Sequence, residues 1–327
     1  MNLQRLIEEL ERQKPLKWDR RANSATMQML SHESGLTFKI NGDGNIFSIT
    51  KPCHQQIAER LEIPAKYYHK MESEAPELLV NNVNTWLGNM GKDFFVRGMG
   101  ENMRALLSDR YRVIDHLDVL YCALNELQAH EAEIEDCYLS ETEVNIKAKS
   151  RKLKDFIRNR DDLIIGGLLF TNSETGHKAL RLEPRLFRVK CTNGMVIENM
   201  VTRQIHLGNG EDESDEMIYL SIRRSIKELF SRFGEIIENL RESTEIKISN
   251  PQKVINNVVI QYGLSEGQKE NILMAFGAEP ELDQYGIANA ITRAAQIEES
   301  WERSLELERM GGRLVSLSPK EFKCLEA

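Results

Sequence analysis

The chain has 327 residues, 41% of them hydrophobic and 29% charged, the composition of a folded protein with room for a substantial core. Lys and Arg number 43 against 51 Asp and Glu, and the net charge of −8 excludes coating of nucleic acid by bulk charge alone. No apolar run approaches bilayer length. Five scattered cysteines form neither a CxxC pair nor a zinc spacing, so the expected setting is a reducing cytoplasm, without a membrane partner, metal or cofactor.

Residues 2–12 read as an amphipathic helix with Leu3, Leu6, Ile7 and Leu10 on one side and no secretory h-region. "LTFKINGDGNIFSIT" predicts two strands joined by a Gly-rich turn at Asn41–Gly44. "KPCHQQIAERLEIPAKYYHKM" then changes period, with Ile57, Leu61, Tyr68 and Met71 shared by two short helices broken near Pro64. The spacing resembles a helix-turn-helix whose second helix offers Lys66, His69 and Lys70, but a packed helical hairpin is the preferred reading. Residues 75–90 continue as helix. "DFFVRGMGENMRALL" predicts a strand, a glycine turn and a second strand, with Ser108–Tyr111 at a turn and Asp115 capping the helix that follows.

Alternation from Val144 to Ala148 predicts a strand, and "DLIIGGLLFTNS" another. "KALRLEPRLFRVKCTNGMV" reads as strands interrupted around Pro184 and turned at Asn193–Gly194, with Asn172 and Gly176 as further turn residues. From Met217 onward the pattern is helical, with a break at Pro251 and further helices near 251–276 and 284–307. The expected fold is therefore α+β. A mixed, largely antiparallel sheet with packed helices occupies 1–210, including an N-terminal helix–hairpin–helix segment, and 217–327 forms a mostly helical C-terminal region.

Catalytic signatures are weak. Cys191 and His177 resemble a nucleophile and its base only if folding brings them together. Asp109, Asp115 and Asp118 lack metal spacing, His54 and His69 lack a ligand cluster, and neither "GLLFTNSETG" nor "GMGENM" is a phosphate or dinucleotide loop. No catalytic residue and no metal ligand is assigned.

Charge, by contrast, is segregated. Residues 126–143 carry seven acids and no Lys or Arg, 147–160 carry seven cations against Asp155, 178–190 add five more against Glu183, and "EDESDE" at 211–216 is acidic again. A basic groove on an acidic body is the corresponding reading. The candidate contacts are Arg110, Tyr111, Arg112, Lys147, Lys149, Arg151, Lys152, Lys154, Arg158, Arg160, Arg181, Arg185 and Arg188, with Tyr111 or Phe187 available to stack on an unpaired base.

"LLSDRYRVIDHLDVL" at 106–120 and "LLFTNSETGHKALRLEPRLFRVKCTNGMV" at 168–196, supported by "GIANAITRAAQ" at 286–296, resemble an uncharacterised phage- and plasmid-related protein family. The resemblance implies a protein of mobile elements acting inside a bacterial cell, in recombination, replication or counter-defence. It carries no catalytic assignment. The motif residues are Ser108, Asp109, Arg110, Tyr111, Asn172, Ser173, Gly176, Arg188, Cys191, Asn193 and Gly194. The leading expectation is a non-enzymatic, single-stranded nucleic-acid-binding protein that assists annealing or recombination. Two alternatives stand beside it: an accessory or counter-defence protein that binds a host or phage protein, and a hydrolase or nuclease that recruits Mg²⁺ through carboxylates gathered by folding. Amphipathic helices and strand edges are also compatible with a homo-oligomer.

Overall fold

Asn2 caps the first helix by accepting a hydrogen bond from the Arg5 N–H, and α1 (Leu3–Gln13) buries Leu6 and Leu10. A computed structural model describes residues 1–32, 35–40, 45–158, 161–198, 202–204 and 215–326. The expected turn at Asn41–Gly44 and the acidic residues at 211–214 lie outside them.

The chain is α+β, and its described residues form two sheets. The first is built from β1 (Lys17–Asn23), β2 (Met27–His32), β3 (Gly35–Ile40), β4 (Ile46–Ile49), β5 (Asp93–Met99) and β6 (Asn102–Ser108), in the order β1-β5-β6-β4-β3-β2. All its pairings are antiparallel except β4 with β6. The crossover between those two carries α2 (Lys51–Arg60), α3 (Ala65–Glu74) and α4 (Pro76–Met90). Pro64 has no N–H to give and starts α3, so the helical hairpin breaks where proline predicts. Ile57, Tyr68, Leu79 and Val83 pack against Met29, Phe38 and Val96 of the sheet.

The outer edge of β2 is closed by a side chain. Asn84 on α4 donates to the Met29 carbonyl at 2.9 Å and accepts from the Met29 N–H at 2.8 Å, imitating a neighbouring strand. Asn84→Leu keeps the size but loses both bonds, and it is expected to cost about 1–3 kcal/mol in urea unfolding.

The second sheet contains β7 (Ala132–Leu139), β8 (Val144–Phe156), β9 (Leu163–Asn172), β10 (Leu180–Arg188) and β11 (Asn193–Val196), in the order β11-β10-β9-β8-β7. The short β12 (Thr202–Gln204) pairs with the start of β10. One face is covered by α1, α5 (His116–Ala129) and α6 (Asp215–Ser231), which bury Ile146, Ala148, Leu168, Phe170 and Leu182. The helices that follow are α7 (Phe233–Glu245), α8 (Pro251–Tyr262), α9 (Glu266–Ala278), α10 (Gln284–Ala294), α11 (Trp301–Val315) and α12 (Pro319–Cys324). They share a core with Ile164, Leu186 and Met195, and α11 reaches the opposite face, where Leu305 meets Leu169 and Val196.

Two local expectations are corrected. First, β10 runs unbroken through Pro184. The Pro184 carbonyl accepts from the Ile197 N–H, so its nitrogen also points away from β9 and no bond of the β9 ladder is lost. Second, the reversal after β10 occupies Val189–Thr192, with Thr192 at φ 54°, and Asn193 and Gly194 already belong to β11. Gly194 is small for another reason: a Cβ there would lie 2.1 Å from the Arg185 guanidinium. Asn172 ends β9, fully buried, where it donates to the Ile114 carbonyl. Gly176 is the true turn glycine, at φ +73°, and a Cβ there would approach Leu107 to 2.6 Å.

Candidate functional site

Residues opposite one another in an antiparallel sheet share a face. The pairing of β8 with β9 and of β9 with β10 therefore sorts the basic segment into rows: Phe156 with Leu163, Lys154 with Ile165 and Phe187, Lys149 with Gly167 and Arg185, and Lys147 with Leu169 and Glu183. A register shift between Lys149 and Lys154 bends β8 and keeps both lysines on the one face.

The two halves of that face differ. On the Lys147 half, α11 docks through charge: Glu308 accepts from Lys147 at 2.9 Å and from Arg185 at 3.0 Å, and Arg309 pairs with Glu183. Lys147 and Arg185 are buried there, and Lys147 Nζ lies 4.3 Å from the Trp301 ring centroid. Burial lowers the Lys147 ammonium pKa, with Glu308 opposing that shift. The Phe156 half is open. Phe156 is 39% exposed and Val189, beside Leu163, 38%, whereas Leu163, Ile165 and Phe187 are half-buried. Lys149 sits over Phe187 at 4.8 Å, and Lys152 and Lys154 are exposed at its margin. The acids at and just before the start of β7 answer the margin: Glu131 pairs with Lys152 at 2.8 Å, Glu133 with Arg151, and Glu135 with Arg185 at 2.5 Å and Lys149 at 3.8 Å.

The remaining predicted contacts are dispersed. Arg188 is buried among Asp162, Glu279 and Glu281, at 2.5, 2.9 and 3.7 Å. Arg158 pairs with Asp283 at 2.7 Å and Glu281 at 3.1 Å. Arg110 is exposed in the turn after β6, Arg112 and Arg181 are half-buried, and Arg160 lies outside the described residues. Tyr111 is buried against Phe95, and its hydroxyl donates to the Glu174 carbonyl at 2.9 Å, so it has no face to offer a base.

Glu174 belongs to a charged centre that joins the two sheets. The β9–β10 loop carries it onto the first sheet, where its carboxylate accepts from Lys17 at 2.5 Å, from Arg104 at 3.3 Å and from the His116 N–H at 2.8 Å. Burial alone would raise that carboxyl, but His116 and Lys17 outweigh it and hold it below the usual range. Burial pushes the His116 imidazole down to about 4, so it is uncharged at neutral pH. Arg97 completes the centre with Asp19 and Asp115, each at 2.8 Å, which takes the Asp115 side chain away from capping α5.

The Cys191–His177 pairing is not formed. The two residues flank opposite ends of the nine-residue β10, a span of roughly 30 Å at strand rise. Burial raises the Cys191 thiol pKa, reinforced by its hydrogen bond to Glu279 at 2.9 Å, which keeps it protonated. His54 and His69, separate in sequence, converge on Glu72 at 3.5 and 3.0 Å. Among the described residues, no group of three or more His, Cys, Asp or Glu is placed to hold a metal ion, and no helix is long and apolar enough to cross a membrane.

The sequence reading omitted Phe156, and it noted the acids of 126–143 as a run without setting them beside the basic strand. Their signal was present as period-two alternation in "KLKDF" and "EAEIED". No curated protein and no solved structure matches this chain. Residues 105–295, which carry every described strand of the second sheet and the open face, match the family described as Domain of unknown function (DUF932). That match spans more than half of the chain, and the protein belongs to this family.

Proposed function

We propose that this protein is a non-enzymatic single-stranded nucleic-acid-binding protein of a phage, plasmid or integrated element, serving annealing or recombination. The observation that carries the reading is the open half of the second sheet, where Phe156 and Phe187 lie on the strand face with Lys149, Lys152 and Lys154 around them. An unpaired base presents a ring to a phenyl group, and a neighbouring ammonium takes the phosphate. Bases inside a duplex have no free ring to offer, so the face suits single strands and is tolerant of sequence. The resemblance of residues 106–120 and 168–196 supplies the mobile-element context. The acids of β7 compete with phosphate for the same lysines, which weakens affinity, and the salt dependence comes from the few counterions that the phosphate contacts release.

Fluorescence anisotropy with labelled oligo(dT) and a duplex of equal length tests this. The expected result is preference for the single strand, with a log–log salt slope of about −2 for three phosphate contacts. Phe187→Ala is expected to weaken binding by about 1–3 kcal/mol, and Lys152→Glu with Lys154→Glu to weaken it and flatten the slope. Absence of single-strand binding at low salt, or wild-type affinity in both variants, would sink the reading.

A further inference from the structure

The second sheet ends at β7, and the only described residue taking up its outer edge is Met1. Met1 and Cys137 exchange both backbone hydrogen bonds, at 2.6 and 2.9 Å, as two residues of neighbouring strands do. Beyond that point the chain turns into α1 and leaves the edge. From Glu131 to Glu135 the edge borders an open groove of about 1060 Å³, walled by Leu3, Leu124 and Leu127. The β2 edge of the first sheet, where Asn84 supplies the missing bonds, shows what a closed edge looks like in this fold.

We propose that the β7 edge from Ala132 to Glu135 receives an extended segment of a partner protein by strand addition, and that this segment alternates apolar and basic side chains. Backbone groups on a strand edge are a template for another strand, and side chains of the added strand repeat with period two. Those next to Ala132 and Ile134 enter the apolar wall formed by Leu3, Leu124 and Leu127. Those on the other side meet Glu131 and Glu133, which pair with Lys152 and Arg151 of β8 while remaining exposed at the edge, and Glu135, which is held inward by Arg185 at 2.5 Å and Lys149 at 3.8 Å. A second copy of this chain does not fit, because antiparallel pairing of two β7 edges would set the same acids against one another. The proposal does not rest on nucleic-acid binding, since strand addition uses the backbone edge of β7 whereas the two phenyl rings lie on β8 and β10.

The test uses the full chain and a short fluorescein-labelled peptide of alternating valine and lysine, beside an alternating valine–glutamate peptide and a proline-interrupted valine–lysine peptide. The valine–lysine peptide is expected to bind, the controls to bind at least about tenfold more weakly, and hydrogen exchange to slow at the outward-facing amides of Ala132 and Ile134. The exposed pair Glu131→Lys and Glu133→Lys is expected to reverse the preference between the lysine and glutamate peptides. Equal binding of all three peptides, unchanged exchange at Ala132 and Ile134 in the wild-type protein, or an unreversed preference in the folded variant overturns the proposal. Loss of oligo(dT) binding by Phe187→Ala leaves this result untouched, so the two readings fail separately.

Discussion

Replacing Glu174 with alanine is expected to remove about 3–5 kcal/mol of stability, measured by urea unfolding. Glu174 is 1% exposed, and the Lys17 and Arg104 side chains beside it are about as sheltered, at 10% and 11%. Without the carboxylate, two cations and the His116 N–H lose a shared acceptor in a place water reaches poorly. The loss falls on the contact between the sheets, because Lys17 and Arg104 come from the first and Glu174 from the loop that leaves the second. A double-mutant cycle with Lys17→Met checks the assignment. The two changes should be strongly non-additive, with the double variant more stable than the sum of the single losses predicts. Additive losses would mean that Glu174 acts through packing alone.

Glu308→Ala is expected to cost a similar amount, about 3–5 kcal/mol, because Lys147 and Arg185 are both buried against it. This change also carries a signature in pH. Burial works to raise the Glu308 carboxyl, but Arg185 and Lys147 overcome it and bring the pKa down to about 2 from an ordinary value of 4.5. A carboxyl whose folded pKa lies below its unfolded one contributes stability that is complete above the unfolded value. That contribution is lost as pH falls through the folded one. The wild-type protein should therefore lose stability between about pH 4.5 and 2, and Glu308→Ala should lose less over that window. Glu279, drawn down to about 2 against burial by Cys191, Lys190 and Arg188, contributes in the same direction and stays in the variant. Equal acid slopes in wild type and Glu308→Ala would show that Glu308 is not ionised against its partners.

Glu308 also limits the proposed binding face. By holding α11 on the Lys147 half, it leaves the Phe156 half as the part of the sheet that a strand of nucleic acid can reach. The thirteen basic and aromatic positions expected from charge alone thus shrink to a smaller group around Lys149, Lys152 and Lys154, joined by two phenylalanines. Arg188, Lys147 and Arg185 are buried instead, each paired to an acid far along the chain, Glu308 on α11 or Glu279 just past α9.

Local order was legible in the sequence. Leu3, Leu6, Ile7 and Leu10 mark α1, Pro64 divides α2 from α3, and alternation from Val144 marks β8, because each depends on neighbours within a few residues. The α+β class followed from those periods. The tertiary structure alone decided which cations face solvent. Glu308 lies 161 residues from Lys147 and Glu279 lies 91 from Arg188, so no window of sequence contains both members of either pair. It also decided that Tyr111 is buried and that β10 passes through Pro184, since each depends on which strand or loop lies alongside. Periodicity is a property of one segment, whereas the fate of a charge depends on the segment that folds against it.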